Sequence, residues 1–171
     1  DITATVEKRK TLVELVRKIA AEINIPFTVG GGIRCVDDIR ELLNSGADKV
    51  SLGSSAVRNP ELVREAAKAF GSQSVVISID AKKAGARWKI FVDGGRTDVG
   101  IDALDFAMEM EKSGAGELLV NSLDRDGRKE GYDLELLSAI KSVVSIPVIA
   151  SSGAGKMDDF LEAFTVSNVD A

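Results

Sequence analysis

The 171-residue chain contains no histidine, one cysteine, three prolines and few aromatic residues. Each absence removes a class of chemistry. Without histidine there can be no Ser-His-Asp triad, no Cys–His nucleophile and no His-rich zinc site. A single cysteine, Cys35, supports neither an intrachain disulfide nor a four-cysteine metal site. It suits a reducing, cytoplasmic setting and reads as an inert thiol early in a helix. Acid–base work therefore falls to Asp, Glu, Lys or the one tyrosine, Tyr132. No apolar run approaches the ~18 residues that cross a bilayer, and no basic segment leads into an apolar one, so no signal peptide is expected. The chain does not begin with Met; Asp1 reads as part of a strand end. A net charge of -5 offers little to nucleic acid or to anionic membranes, and neither is an expected partner.

What is present is the profile of a soluble globular domain, 44 % hydrophobic and 29 % charged. The length fits one domain over residues 1–171. Short β-rich runs alternate with amphipathic stretches. Leu12, Leu15, Val16, Ile19, Ala20 and Ile23 have helical spacing. Phe27-Thr28-Val29 follows Pro26 as a strand and ends in Gly30-Gly31-Gly32. Helices are expected over 36–43, over 60–70 with Asn59 as N-cap, and over 102–113, 133–143 and 157–164. Strands are expected over 49–52, 74–79, 117–121 and 147–150. Residues 87–92 and 96–99, joined through Asp93-Gly94-Gly95, read as a hairpin rather than another βα unit. Val169-Asp170-Ala171 reads as the start of a further strand.

Five parallel-type strands, each followed by a helix, imply a parallel sheet covered by helices. An internal repeat favours a barrel over an open sheet. Ile25-Pro26, Gly32 and Asp37-Asp38 recur 121 residues later as Ile146-Pro147, Gly153 and Asp158-Asp159. Ser45-Gly46-Ala47-Asp48 is matched by Ser167-Asn168-Val169-Asp170. Two such halves make an α/β fold of the (βα)8 TIM-barrel type, incomplete here: about βα units 3–7 with remnants of units 2 and 8. A whole barrel of typically ~250 residues leaves this chain short by roughly 80.

Polar residues and glycines cluster immediately after the strands, at positions that converge on the C-terminal face of a barrel. Gly30-Gly31-Gly32 fits a tight turn with positive φ, and equally a backbone left open to a phosphate. Gly153-Ala154-Gly155 stands at the equivalent place in the other half. Together they suggest a substrate with phosphates at both ends. Gly53-Ser54-Ser55 adds hydroxyl donors. No P-loop motif is present. Asp80 ends a hydrophobic strand; it is either an N-cap, a partner for Lys82 or Lys83, or a carboxylate aimed into the mouth as acid or base. Asp124 and Asp126 belong either to a solvated Asp-Gly turn or to a carboxylate facing Asp80. Asn121 and Ser151 are possible orienting groups. Glu7-Lys8-Arg9-Lys10 reads as a charged loop, possible cover for a phosphorylated substrate.

These segments resemble a known family. Asp1-Ile2-Thr3-Ala4 with Lys8-Arg9-Lys10, Phe27 to Gly32, Phe70-Gly71-Ser72-Gln73 and Ile79-Asp80-Ala81-Lys82 are similar to the cyclase subunit of imidazole glycerol phosphate synthase. So are Asp124-Arg125-Asp126-Gly127, Gly131-Tyr132-Asp133 and Ile149 to Lys156. The resemblance covers the whole chain. It implies a (βα)8 barrel of histidine biosynthesis that takes ammonia from a glutaminase subunit. It further implies closure of the imidazole ring of a bis-phosphorylated ribulosyl aminoimidazole substrate and its cleavage. No metal or organic cofactor is implied. Of two central catalytic aspartates, one matches Asp126 and the other would lie before Asp1. Asp80 matches a further strand-end aspartate. Gly32, Gly53, Ser54 and Gly153 match phosphate-contacting positions, and Asn121 and Ser151 match substrate-contacting ones.

The chain departs from the family's pattern at Ser152, where a glycine is usual, at Ser167-Asn168-Val169, and at Gly53, where a side-chain amide is common. The expectation is a cyclase with little or no activity as this chain alone, because losing a proton-transfer partner costs about 10²–10⁴-fold. Open sheet edges lead us to expect self-association. Two alternatives stand beside this: a non-catalytic fragment that self-associates and keeps phosphate binding, and the sister sugar-phosphate isomerase of the same pathway.

Overall fold

The computed structural model describes residues 6–171, with side chains from Leu12 onward. Helix α1 (Val6–Glu22) leads to β1 (Thr28–Gly30), α2 (Val36–Asn44), β2 (Lys49–Leu52), the short α3 (Ser54–Arg58) and α4 (Glu61–Phe70). Next come β3 (Val75–Ala84), β4 (Arg87–Val92), β5 (Thr97–Asp102) and α5 (Ala103–Ser113). The order closes with β6 (Glu117–Ser122), α6 (Leu134–Val143), β7 (Val148–Ser151) and α7 (Met157–Val166). The strand end expected at residues 1–4 lies outside the described residues. Glu7–Lys10 is not a loop: its backbone forms the start of α1, a run of 17 residues with no glycine or proline to break it.

Strands β1, β2, β3, β6 and β7 pair in that order, all parallel. They form a half-barrel, as an incomplete (βα)8 barrel requires. β3 runs past this sheet, and its residues 80–84 pair antiparallel with β4, which pairs with β5. The expected hairpin is therefore real, and it rises from the C-terminal ends of the parallel strands. Beyond α7, the Ala150 N–H donates to the Ala171 carbonyl at 2.6 Å and the Asp170 N–H to the Val148 carbonyl at 2.9 Å. The chain's last residues thus lie alongside β7.

Central strands of a parallel sheet are covered on both faces, so they are apolar almost throughout. Val75, Val76, Ile77, Ile79 and Ala81 of β3 are all buried, and only Ser78 and Asp80 among its first seven residues are partly exposed. The helices bury one stripe each: Ile39 and Leu42 on α2, Leu62, Val63 and Ala66 on α4, and Leu136, Leu137 and Ile140 on α6. Asp102 and Asp133 cap α5 and α6, accepting from the N–H groups of Leu104 and Leu136 at 2.9 and 3.1 Å. Asn59 does not cap α4 through its side chain; the residue before Pro60 is extended, at φ -144°, and only its carbonyl receives the Leu62 N–H. The same proline ends α3, a helix the sequence pattern had hidden in a Ser-Ser segment.

The 121-residue repeat reappears as matched hydrogen bonds. Asp38 Oδ2 accepts from the N–H of Arg34 at 2.7 Å and of Cys35 at 3.3 Å. Asp159 Oδ2 accepts from Gly155 at 2.7 Å and Lys156 at 3.0 Å. Likewise Asp48 receives the Phe27 N–H at 2.9 Å, and Asp170 receives the Val148 N–H at 2.8 Å. Each half uses one aspartate to start the helix after its glycine-rich strand end, and another to tie the next strand to its base. Cys35 stands at the N-cap of α2, just before rather than within the helix, with Sγ 2.9 Å from Asp38 Oδ1.

Candidate functional site

The parallel register brings the candidate residues to one level. Asp80 pairs with Asn121, and Asn121 with Ser151, at the C-terminal ends of β6 and β7 and at the point where β3 runs on from the parallel sheet into the hairpin. Gly30 pairs with Ser51 at the corresponding edge of β1 and β2. Alternation along β3 turns Ser78 and Asp80 to the face opposite Ile77 and Ile79.

Two groups form along this edge. The first lines a cleft of about 730 Å³ whose walls include Gly32, Gly53, Ser54 and Asp80, together with Arg58 and Asp93. Gly31 and Gly32 have φ of 98° and 70°, so the glycines after β1 are required by the turn itself, whatever the cleft holds. Gly53 has room for a Cβ, which would make ordinary van der Waals contact with Ser78 at 3.8 Å.

The second group is a hydrogen-bonded chain. Asn121 Nδ2 donates to Asp80 Oδ1 at 3.0 Å. The Ser152 hydroxyl contacts Asn121 Oδ1 and lies 3.1 Å from Asp126 Oδ1. Asp80 on β3 and Asp126 in the loop after β6 are thereby linked through one amide and one hydroxyl. Asp80 is neither a helix cap nor a partner of the neighbouring lysines: Lys83 pairs with Glu135, and Lys82 lies over the Phe91 ring. Asp124 is a structural ligand of the loop, its Oδ2 accepting the Lys83 N–H at 2.7 Å, and it does not join this chain of contacts.

Ser151 stands in register beside Asn121, half-buried. Gly153 is buried at φ 101°, and a Cβ there would meet the Gly131 carbonyl oxygen at 2.3 Å. Its lack of a side chain is thus demanded by the neighbouring loop. The sequence reading missed Ser152 as a contact residue, and Arg58 and Asp93 as walls of the cleft. The strand-end position of Ser152 was a usable signal. The hairpin's tilt over the cleft, which brings Asp93 to Arg58, has no local sequence signature. The Arg58 guanidinium, 2.6 Å from Asp93 Oδ1, holds the Asp93 carboxyl below its ordinary value.

Among the described residues, no cluster of three or more His, Cys, Asp or Glu side chains could hold a metal ion. No helix among them is long and apolar enough to cross a membrane.

A parallel half-barrel, with glycines, hydroxyls and carboxylates gathered at the C-terminal strand ends, defines an incomplete (βα)-barrel protein. The chain belongs to the histidine biosynthesis protein family, whose model matches residues 1–171. It is 53 % identical over 171 residues to a protein of Metallosphaera sedula named imidazole glycerol phosphate synthase subunit HisF, covering 100 % of this chain and 68 % of that one. A Thermococcus onnurineus protein of the same name is 57 % identical over 166 residues, covering 97 % of this chain and 66 % of its own length. A third, from Clostridium botulinum, is 53 % identical over 173 residues, covering 100 % and 68 %.

Proposed function

We propose that the chain is the cyclase subunit of imidazole glycerol phosphate synthase. In this reading it closes the imidazole ring of a bis-phosphorylated ribulosyl aminoimidazole substrate with ammonia from a glutaminase subunit, in the cytoplasm. The observation that carries the reading is likeness over the full chain to proteins of that name, at 53–57 % identity. The three relatives named above carry the synthase subunit's name, which favours the cyclase over the sister isomerase.

The site's chemistry suits the assignment. Ring closure and cleavage both need protons moved between carbon, nitrogen and oxygen, and here carboxylates are the available groups. Asp126 and Asp80 serve as the acid–base pair in this proposal, with Asn121 and Ser152 setting their relative orientation. Ser151 contacts substrate beside Asn121. Gly32, Gly53 and Ser54 receive one phosphate in the cleft. The backbone around Gly153 receives the other. Two phosphate sites on opposite sides of the carboxylates would stretch the substrate across the strand ends and hold its reacting centre over Asp80 and Asp126.

We also propose that the chain associates with itself. On α7, Met157, Phe160, Leu161 and Phe164 recur at helical spacing and are 44–80 % exposed. One experiment serves both proposals: ammonia-dependent turnover of the bis-phosphorylated substrate, measured over a range of chain concentrations with light scattering alongside. Little or no turnover is expected from this chain alone, whatever remains should fall about 10²-fold or more in Asp80→Asn and in Asp126→Asn, and association should appear at micromolar concentration. Turnover of the isomerase substrate instead would overturn the cyclase reading. Phosphate binding without turnover would favour a non-catalytic chain. A strictly monomeric species would end the self-association proposal alone.

A further inference from the structure

We propose that Arg58 is an anion-binding residue of the cleft and that Asp93 is its built-in competitor, a carboxylate that a substrate phosphate must displace. The proposal rests on the phosphate reading of Gly53 and Ser54 and assigns that subsite a cation and a latch.

Asp93 sits at the tip of the β4–β5 hairpin in the left-handed region, at φ 57°, a costly conformation for a residue other than glycine. It makes two contacts across the cleft. Its carboxylate takes the Arg58 guanidinium at 2.6 Å, and its N–H donates to Ser54 Oγ at 3.0 Å. One residue of the hairpin thus engages both the hydroxyl and the cation on this wall of the cleft. A carboxylate on a guanidinium beside a hydroxyl mimics a bound phosphate. Thr97 Oγ1, 3.4 Å from Asp93 Oδ2, keeps the carboxylate turned this way.

The latch is built to release. The side chains of Arg58 and Asp93 are 60 % and 38 % exposed, and an ion pair this open to water holds weakly. A phosphate dianion carries more charge and accepts two parallel N–H bonds from a guanidinium, so it is the stronger partner for Arg58. The hairpin does not depend on the latch for its fold, because Trp88, Ile90 and Val92 of β4 are buried and β4 pairs with both β3 and β5. Displacing Asp93 frees the tip while its base stays in place. The hairpin then reports occupancy of the phosphate subsite at the mouth of the cleft.

The test is inorganic phosphate binding to the full chain by calorimetry at constant ionic strength. The variants are Arg58→Gln, Asp93→Asn and the double variant, each checked for folding by circular dichroism. Asp93→Asn should tighten phosphate about fivefold and Arg58→Gln weaken it about fivefold, the scale of an exposed ion pair. The double variant should match Arg58→Gln alone, because the competitor acts only through Arg58. Equal binding by Arg58→Gln and the unaltered chain overturns the proposal while leaving the phosphate reading intact. So does an Asp93→Asn gain that persists without Arg58, which would show bulk charge rather than competition. No phosphate binding by either the unaltered chain or Asp93→Asn overturns both readings together.

Discussion

Ser152 shows how much one residue sets in this site. It is one of the few residues other than glycine at positive φ, at 75°, and its hydroxyl meets both Asn121 Oδ1 and Asp126 Oδ1. The backbone there favours glycine, by about 1–2 kcal/mol for the left-handed region. The hydroxyl offsets part of that cost with contacts worth about 1 kcal/mol net. Two variants separate the terms. Ser152→Gly loses the hydroxyl and relieves the backbone, so its stability in urea should stay close to that of the unaltered chain. Ser152→Ala loses the hydroxyl and keeps the strain, so it should unfold about 1 kcal/mol more easily. Equal stability of the two variants would contradict the strained backbone. The side-chain roles at this scale were only partly legible in the sequence. Asp80, Asn121 and Ser151 announce themselves as polar residues ending apolar strands. Which of Asp124 and Asp126 points inward depends on the loop's fold, because an Asp-Arg-Asp-Gly segment reads alike in either case.

At the scale of elements, carboxylates do much of the joining. Glu111 on α5 accepts from Ser145 Oγ at 2.6 Å and from the N–H groups of Ser145 and Ile146 at 2.8 and 3.1 Å, tying α5 to the turn before β7. The Ser145 hydroxyl bond, against an opposing effect of burial, holds the Glu111 carboxyl below its ordinary value of 4.5. A depressed carboxyl contributes stability above its unfolded value, and that contribution disappears as pH falls through the folded value. Glu111→Gln should therefore be less stable than the unaltered chain by about 1 kcal/mol at pH 7. The gap should narrow as pH drops below 4.5, to be followed by urea unfolding across that window. A gap that widened in acid would contradict the assignment. Element positions follow from sequence physics where the period is strong, as in α4 and α6, whereas β3 runs five residues past its expected end at Ile79 because it goes on to pair with β4. Sequence physics fails at α3, because five residues between Gly53 and the break at Asn59-Pro60 are too few to show a helical period.

For the whole molecule, the repeat was the most informative feature in the sequence. Ile-Pro, glycine and paired aspartates at a common offset of 121 residues pointed to two related halves. In the structure that relation is written in the paired roles of Asp38 with Asp159 and of Asp48 with Asp170. The hairpin interrupts the βα alternation between β3 and α5, its Asp-Gly-Gly turn made it visible in the sequence, and it reaches over the cleft to Ser54. The reach of Asp93 to Arg58, 35 residues apart, depends on that lean and on no local pattern.

The central claim is that one anionic substrate spans the strand ends, from the cleft at Gly32, Gly53 and Ser54 to the loop at Gly153. Backbone amide shifts of the isotope-labelled chain, followed by NMR during titration with a sugar bisphosphate, test it most directly. The account predicts saturable shifts at Gly32, Gly53, Ser54 and Gly153 together, with Asn121 and Ser152 moving between them. Shifts confined to one end, or falling elsewhere on the surface, would contradict it.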